Sequence, residues 1–234
     1  MTERQKDLPV GDPVPPLDGL HAPERKALAG RFVTLRPIDL AADATALHAC
    51  SHGDPQTEGL WTYMGNYGPF ESPAAMGAWL ERCAASDDPL FLAVIENESG
   101  SPAGMVSFLN IMPEMRRLEL GHIWYAPKVQ RSKVNTESIY LMLRESFDSL
   151  RCRRVEWKCN ALNARSRKAA LRLGFSFEGI FRQHMIVKGH NRDTAWFAML
   201  DGEWPAVKAN MERWLYGDEE GLSLGALNGV LESI

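Results

Sequence analysis

The sequence predicts a mixed α/β domain whose central sheet is mostly antiparallel. Two observations carry this. Three strand-like runs follow one another between residues 90 and 125 with only short turns between them, the pattern of a meander. One strand–turn–helix–strand unit, around 118–159, is too long for a hairpin and needs a parallel crossover. Composition permits one sizeable core, since 45% of the 234 residues are hydrophobic and 24% are charged.

The elements follow in order. Residues 1–30 carry Pro9, Pro13, Pro15, Pro16 and Pro23 without sustained periodicity, so an extended arm is expected. Arg31–Ile38 (RFVTLRPI) alternates as a strand does, and Leu40–Cys50 has helical spacing. Residues 59–70 (GLWTYMGNYGPF) read as a Gly- and aromatic-rich loop. Ser72-Pro73 supplies an N-cap and a proline at the first helical position, opening a helix to about Ala84. Strands at Leu90–Glu96, Ala103–Met112 and Leu118–Tyr125 form the meander. A helix over Asn135–Leu150, a strand at Arg154–Cys159 and a helix over Asn163–Leu173 come next, with Gly174 as its stop. Glu178–Val187 and Arg192–Leu200 form a hairpin, and Trp204–Tyr216 a last helix. The expected organisation is an arm (1–30), one domain (31–216) and a tail (217–234).

The segment 118–143 carries the most chemistry. A strand ends at Ala126-Pro127, a polar turn holds Gln130, Arg131, Ser132 and Lys133, and a helix opens at Asn135-Thr136-Glu137. Uncapped N–H groups and the positive end of a helix dipole at one spot attract an anion, and the basic turn points to phosphate. Net charge of −4 argues against a nucleic-acid binder working through bulk charge. No apolar run is long enough to span a membrane, and MTERQKDLPV lacks the apolar core of a secretory signal. Cys50, Cys83, Cys152 and Cys159 are irregularly spaced, which suits reduced thiols in the cytoplasm, with no metal site.

Four segments in this order resemble the Gcn5-related N-acetyltransferase (GNAT) family: RFVTLRPI, ELGHIWYAPKVQRSKVNTE, WKCNALNARSRKAALRLGF and EGIFRQHMIVKGHNRDTAWFAML. The resemblance spans about residues 30–200 and is nearest to the RimJ/RimL-type branch that acetylates ribosomal proteins. It implies the GNAT fold, with a splayed parallel strand pair. It also implies an acetyl-CoA-dependent N-acetyltransferase acting on a primary amine, either a protein N-terminus or a small molecule. A non-catalytic acyl-CoA-binding domain and a homodimer joined through the terminal hairpin or the arm stay open.

The resemblance places the pyrophosphate of CoA on Gln130, Arg131, Ser132, Lys133, Val134, Asn135 and Thr136. The family's loop reads Q/R-x-x-G-x-G/A, and both glycines are missing here. Asn135 tolerates left-handed geometry and is the expected substitute; Arg131 and Lys133 are expected to add charge. Residues 151–172 hold eight Lys or Arg against one acid, Glu156, and Arg167 is expected near the cofactor's phosphates. Backbone at Ile123, Trp124 and Tyr125 and at Lys158–Asn160 would meet the pantetheine arm.

Amine acetylation needs a deprotonated amine, a polarised carbonyl and a stabilised leaving thiolate. Asn163 and Ser166 match the family's N-x-x-S, as pantetheine ligand and as the group nearest the sulfur; both also suit a helix cap and first turn. Where many members carry a tyrosine acid this chain has Ala170, so Ser166 or water must serve. Glu119 is the leading base. His122, expected on the opposite face of a regular strand, and His184 are alternatives. Cys159 is either a strand cysteine of the ribosomal-protein branch or simply buried. Trp61, Tyr63 and Tyr67, with His184, are expected to wall the acceptor, the alternative being that this hydrophobic loop packs over the core. Asp193 pairs with the amine or with Arg192 or Arg182.

Overall fold

The structure is a computed structural model that describes residues 8–219 and 221–229. The strands are β1 (Leu28–Ala29), β2 (Val33–Pro37), β3 (Leu90–Glu96), β4 (Pro102–Met112), β5 (Arg117–Tyr125), β6 (Arg154–Asn160), β7 (Ser176–Val187) and β8 (His190–Leu200). The helices are α1 (Leu40–Ala49), α2 (Pro55–Glu58), α3 (Pro73–Ala85), α4 (Lys133–Arg144), α5 (Ala164–Arg172), α6 (Trp204–Tyr216) and α7 (Leu224–Leu227). One eight-stranded sheet runs β1-β2-β3-β4-β5-β6-β8-β7. Every neighbouring pair is antiparallel except β5–β6. The predicted fold class is the observed one.

Alternation along the strands splits the interior into two cores. Val106, Phe108, Leu118, Leu120, Val155 and Phe197 point to the face covered by α4, α6 and α7. Phe91, Met105 and Trp124 point the other way, to Leu47 of α1 and Met76, Trp79 and Leu80 of α3. Trp61 is wholly buried in this second core, and its indole N–H donates to the Ser51 carbonyl at 3.0 Å. Gly68 makes this packing possible: at φ +59°, a Cβ there would lie 2.4 Å from the Trp61 ring.

A buried carboxylate ties α4 to the first strands. Glu137 accepts from the backbone N–H groups of Arg31, Phe32 and Val33 at 2.9, 2.6 and 2.9 Å, and from the Tyr216 hydroxyl at 2.7 Å. This fixes the helix whose N-terminus forms the polar turn.

Several boundaries differ from expectation. The sheet starts inside the expected arm, because Leu28–Ala29 pairs with β2. Arg25 anchors what precedes it by donating to the carbonyls of Ala84 and Ser86, each at 2.7 Å. The short α2 was not expected; Asp54 and Thr57 close it with reciprocal caps. α4 begins at Lys133 rather than Asn135, because the Ser132 hydroxyl accepts from Val134 N–H and caps it. It gives way to one wide π-type turn at Glu145–Ser149. In the expected tail, Leu224 of α7 is buried in the first core.

Candidate active site

β5 and β6 pair only from Arg117↔Arg154 to Leu120↔Trp157. Beyond that they diverge, although β5 runs on to Tyr125 and β6 to Asn160. On its far side β6 stays paired, Lys158, Cys159 and Asn160 facing Trp196, Ala195 and Thr194 of β8. The inner edges of both strands are therefore open backbone in the middle of a sheet. Such a gap accepts an extended ligand that can bond to main chain.

A bulge shapes the β5 side of the gap. The β4–β5 register slips between Met105↔Trp124 and Ser107↔Gly121, and His122 takes φ +50°. Gly104 permits the close approach, since a Cβ there would sit 2.2 Å from the Trp124 carbonyl oxygen. The side chains of Trp124 and Tyr125 are buried, so only their backbone faces the gap. Ile123 is half-buried between them.

The polar turn closes one end. Gln130 donates from Nε2 to the Tyr125 carbonyl at 3.0 Å, and the Ser132 hydroxyl donates to the Val129 carbonyl at 2.6 Å. Arg131, at φ +59°, takes the left-handed position expected at Asn135, which is instead helical. Lys133 is turned away: its ammonium donates to the Leu215 carbonyl at 2.8 Å and lies over Phe32. Charge expected from Lys133 is thus committed to α6. Among the described residues, the backbone N–H groups of Arg131, Ser132, Lys133 and Asn135 have no acceptor. Val134 is buried, and Thr136 receives a hydrogen bond from Arg172 Nη2 at 2.8 Å. The position of Arg172 at this helix start was not foreseen; only its share in the basic run was legible.

Titratable groups gather at the fork. Glu119 is 2% exposed, 2.9 Å from Lys158 Nζ, and accepts from Asn110 Nδ2 at 2.7 Å. Burial raises its carboxyl above the ordinary range, and Lys158 and Asn110 pull partly back. The bulge carries His122 onto the same sheet face as Glu119, not the opposite one. His122 Nδ1 bonds the Ser107 hydroxyl at 2.7 Å, and the ring lies 4.7 Å from Phe91. Burial, helped by the Lys158 charge, pushes its pKa down to about 4, so the imidazole is neutral at pH 7. Among the described residues no group of three His, Cys, Asp or Glu could hold a metal.

The β6 side carries the remaining candidates. Asn163 caps α5, its side-chain oxygen accepting from Ser166 N–H at 3.1 Å. Ser166 Oγ accepts from the Trp157 indole N–H at 3.0 Å, which leaves its own proton to donate. Burial raises the Cys159 thiol, with Ser166 offsetting part of the rise. Arg167 lies over Phe177 and donates to the Ala161 carbonyl at 3.3 Å.

Over the fork lies the aromatic loop. Trp61, expected in the acceptor wall, is core instead, because the loop folds inward at Gly68. Tyr67 stacks on Trp79 at 4.9 Å and lies 6.0 Å from His122. The Tyr63 hydroxyl donates to the Leu162 carbonyl at 3.4 Å, bridging the loop to the turn after β6. Lys188, at the hairpin tip, donates to the carbonyls of Trp61 and Gly68, each at 2.7 Å. No sequence signal marked this clamp. His184 is exposed on β7, its Nδ1 3.0 Å from Thr194 Oγ1. Asp193 accepts from Gln183 N–H at 2.7 Å and Asn191 Nδ2 at 3.0 Å, so it braces the hairpin rather than pairing with Arg192 or Arg182.

Comparison with known proteins adds the following. Residues 33–176 match the model of the acetyltransferase (GNAT) domain. A GCN5-related N-acetyltransferase from Brucella melitensis is 40% identical; the match covers 90% of this chain and 97% of that one, with a TM-score of 0.85. A GNAT-family protein from Chromobacterium violaceum is 35% identical, over 86% of this chain and all (100%) of that one, with a TM-score of 0.76. The Bacillus subtilis protein YdaF, provisionally named a ribosomal N-acetyltransferase, is 29% identical over 109 residues. That match spans 47% of this chain and only 59% of the length of YdaF.

Proposed function

Because the chain belongs to the GNAT acetyltransferase family, we propose that it is an N-acetyltransferase that moves an acetyl group from acetyl-CoA to a primary amine. The observation that carries this reading is the open β5–β6 fork next to four unpaired N–H groups at the start of α4. An extended arm and a phosphate need those two features side by side.

The residues fit the cofactor. The backbone of Ile123, Trp124 and Tyr125 would hold the pantetheine arm, with Asn163 opposite. The turn Gln130–Thr136 would hold the pyrophosphate, main chain doing most of the work because Lys133 is engaged elsewhere. Arg167, already stacked on Phe177, would reach the outer phosphates. When bound, acetyl-CoA supplies an activated acetyl thioester.

The chain's own groups supply the rest. Glu119, held by Lys158 and Asn110, takes a proton from the amine in its ionised form, directly or through water. The fork's backbone N–H groups stabilise charge on the carbonyl oxygen. The Ser166 hydroxyl donates its proton toward the sulfur, with Trp157 fixing its lone pairs. The neutral His122, fixed by Ser107 of β4, lies beside Tyr67 of the loop. Tyr63, Tyr67 and His184 line the acceptor side. The four free thiols suit a reducing cytoplasm.

A second reading, an acyl-CoA-binding domain without catalysis, is favoured by the glycine-free turn and by Ala170 in place of a tyrosine acid. Calorimetry with acetyl-CoA and a thiol-release assay over an amine panel separate the two. Binding with amine-dependent release supports the enzyme, and binding without turnover supports the sensor. No binding defeats both.

A further inference from the structure

Arg192 has no part in the chemistry above. Among the described residues it is the one part-buried lysine or arginine with no ion pair, hydrogen bond or stacked ring. Its Nε–H is buried without an acceptor. Buried donors without partners are rare in native proteins and call for a reason. Three such side-chain atoms occur among the described residues, and two of them, Arg192 Nε and Trp196 Nε1, lie on one face of β8. Thr194 stands between them on that face and is held by His184.

This face looks onto the acceptor side of the fork. Trp196 pairs with Lys158 across β6–β8, and Lys158 Nζ lies 5.3 Å over its ring. Asn160, the last residue of β6, pairs with Thr194, and the Ala161 N–H donates to the Asp193 carbonyl at 2.8 Å, so Arg192 stands just past the open end of β6, on the β8 face that carries Trp196. The nearest acid in sequence, Asp193, is already spent on Gln183 N–H and Asn191. A planar fork of donors with no internal partner is built to receive a carboxylate in two-point fashion.

Resting on the N-acetyltransferase reading, we propose that Arg192 forms a carboxylate-binding subsite, and that the acceptor is an amine carrying a carboxylate. The carboxylate is either the α-carboxylate of a free amino acid or an acidic side chain beside a peptide N-terminus.

The test measures thiol release from acetyl-CoA with three pairs of acceptors by wild type, R192Q and R192K. The pairs are methionine and methioninamide, phenylalanine and phenylalaninamide, and Ala-Glu-amide and Ala-Gln-amide. Comparing wild type with R192Q within each pair cancels the differing basicity of the amines. In at least one pair wild type favours the acid, and R192Q removes roughly 10- to 100-fold of kcat/KM for the acid alone. R192K keeps part of the preference, and the acetyl-CoA Kd stays within about twofold in both variants. The first two pairs report an α-carboxylate and the third a side-chain one. The proposal is overturned if R192Q lowers acid and amide equally, if no pair favours the acid, or if the acetyl-CoA Kd changes about tenfold. Should no amine be turned over, calorimetry of the three acids with the CoA-saturated protein decides. Arg192-dependent binding supports the subsite while the transferase reading fails. Absence of binding overturns the subsite, whereas turnover of uncharged amines alone leaves the transferase reading standing.

Discussion

Replacing Glu137 tests how the cofactor-side helix is held. Its carboxylate accepts four hydrogen bonds, three of them from consecutive backbone N–H groups at 2.6–2.9 Å. In E137A those donors lose their acceptor. Val33 is fully buried, so its N–H bears the whole desolvation penalty, about 1–3 kcal/mol; Arg31 and Phe32 reach water and cost about 0.5 kcal/mol each. With the stranded Tyr216 hydroxyl, the total is about 3 kcal/mol. In a chain of this size that lowers Tm by about 6–12 °C. Glutamine does not rescue. Oε2 takes Phe32 and Val33 while Oε1 takes Arg31 and Tyr216, so an amide NH2 at either place opposes donor with donor. Thermal and urea unfolding of E137A and E137Q check this. Melting of both variants within about 1 °C of wild type would refute the reasoning.

Further outcomes concern the base, the turn, the loop and the thiols. E119Q lowers kcat about 10²- to 10⁴-fold. In wild type, kcat/KM rises with pH through a pKa above the ordinary carboxylate range, because the base works only when ionised. K158M moves that limb to still higher pH, since Lys158 is what pulls the Glu119 pKa down, and a pH–rate series reads both. R131G is more stable than R131A by about 1 kcal/mol, both having lost the charge but only alanine keeping the strain at φ +59°, as chemical denaturation will show. K188M, which unfastens the aromatic loop, raises KM for the amine several-fold and leaves acetyl-CoA affinity unchanged in calorimetry. Native Cys83 and Cys152, with pKa values pushed up to about 12 by burial, react with a disulfide reagent at pH 8 only on unfolding, as a time course reads.

How much of this the sequence disclosed depended on distance along the chain. The turn 130–135 was legible because strand, polar turn and helix are contiguous, and Ser72-Pro73 gave α3 its start for the same reason. Ser132 displaced the start of α4 by two residues because a hydroxyl there caps as well as Asn135 would. β1 has two residues and α2 has four, too few to show a period. The His122 bulge is set by pairing with β4, and the Glu137 anchor by partners 104–106 residues away, so neither leaves a local pattern. The sequence leaves Trp61 between acceptor wall and core because glycines and aromatics serve both; only the close approach of Gly68 shows that it turns inward. Arg192 was noticed only as a partner for Asp193, and its lack of any partner is visible only in three dimensions.

Backbone hydrogen exchange with and without acetyl-CoA decides whether the β5–β6 fork and the start of α4 hold the ligand, because it reads the main chain itself. Acetyl-CoA is expected to add protection at Ile123–Tyr125, at Arg131–Thr136 and at Lys158–Asn163, with little change at β2 or α3. Protection confined to other segments, or none at saturating acetyl-CoA, would contradict it.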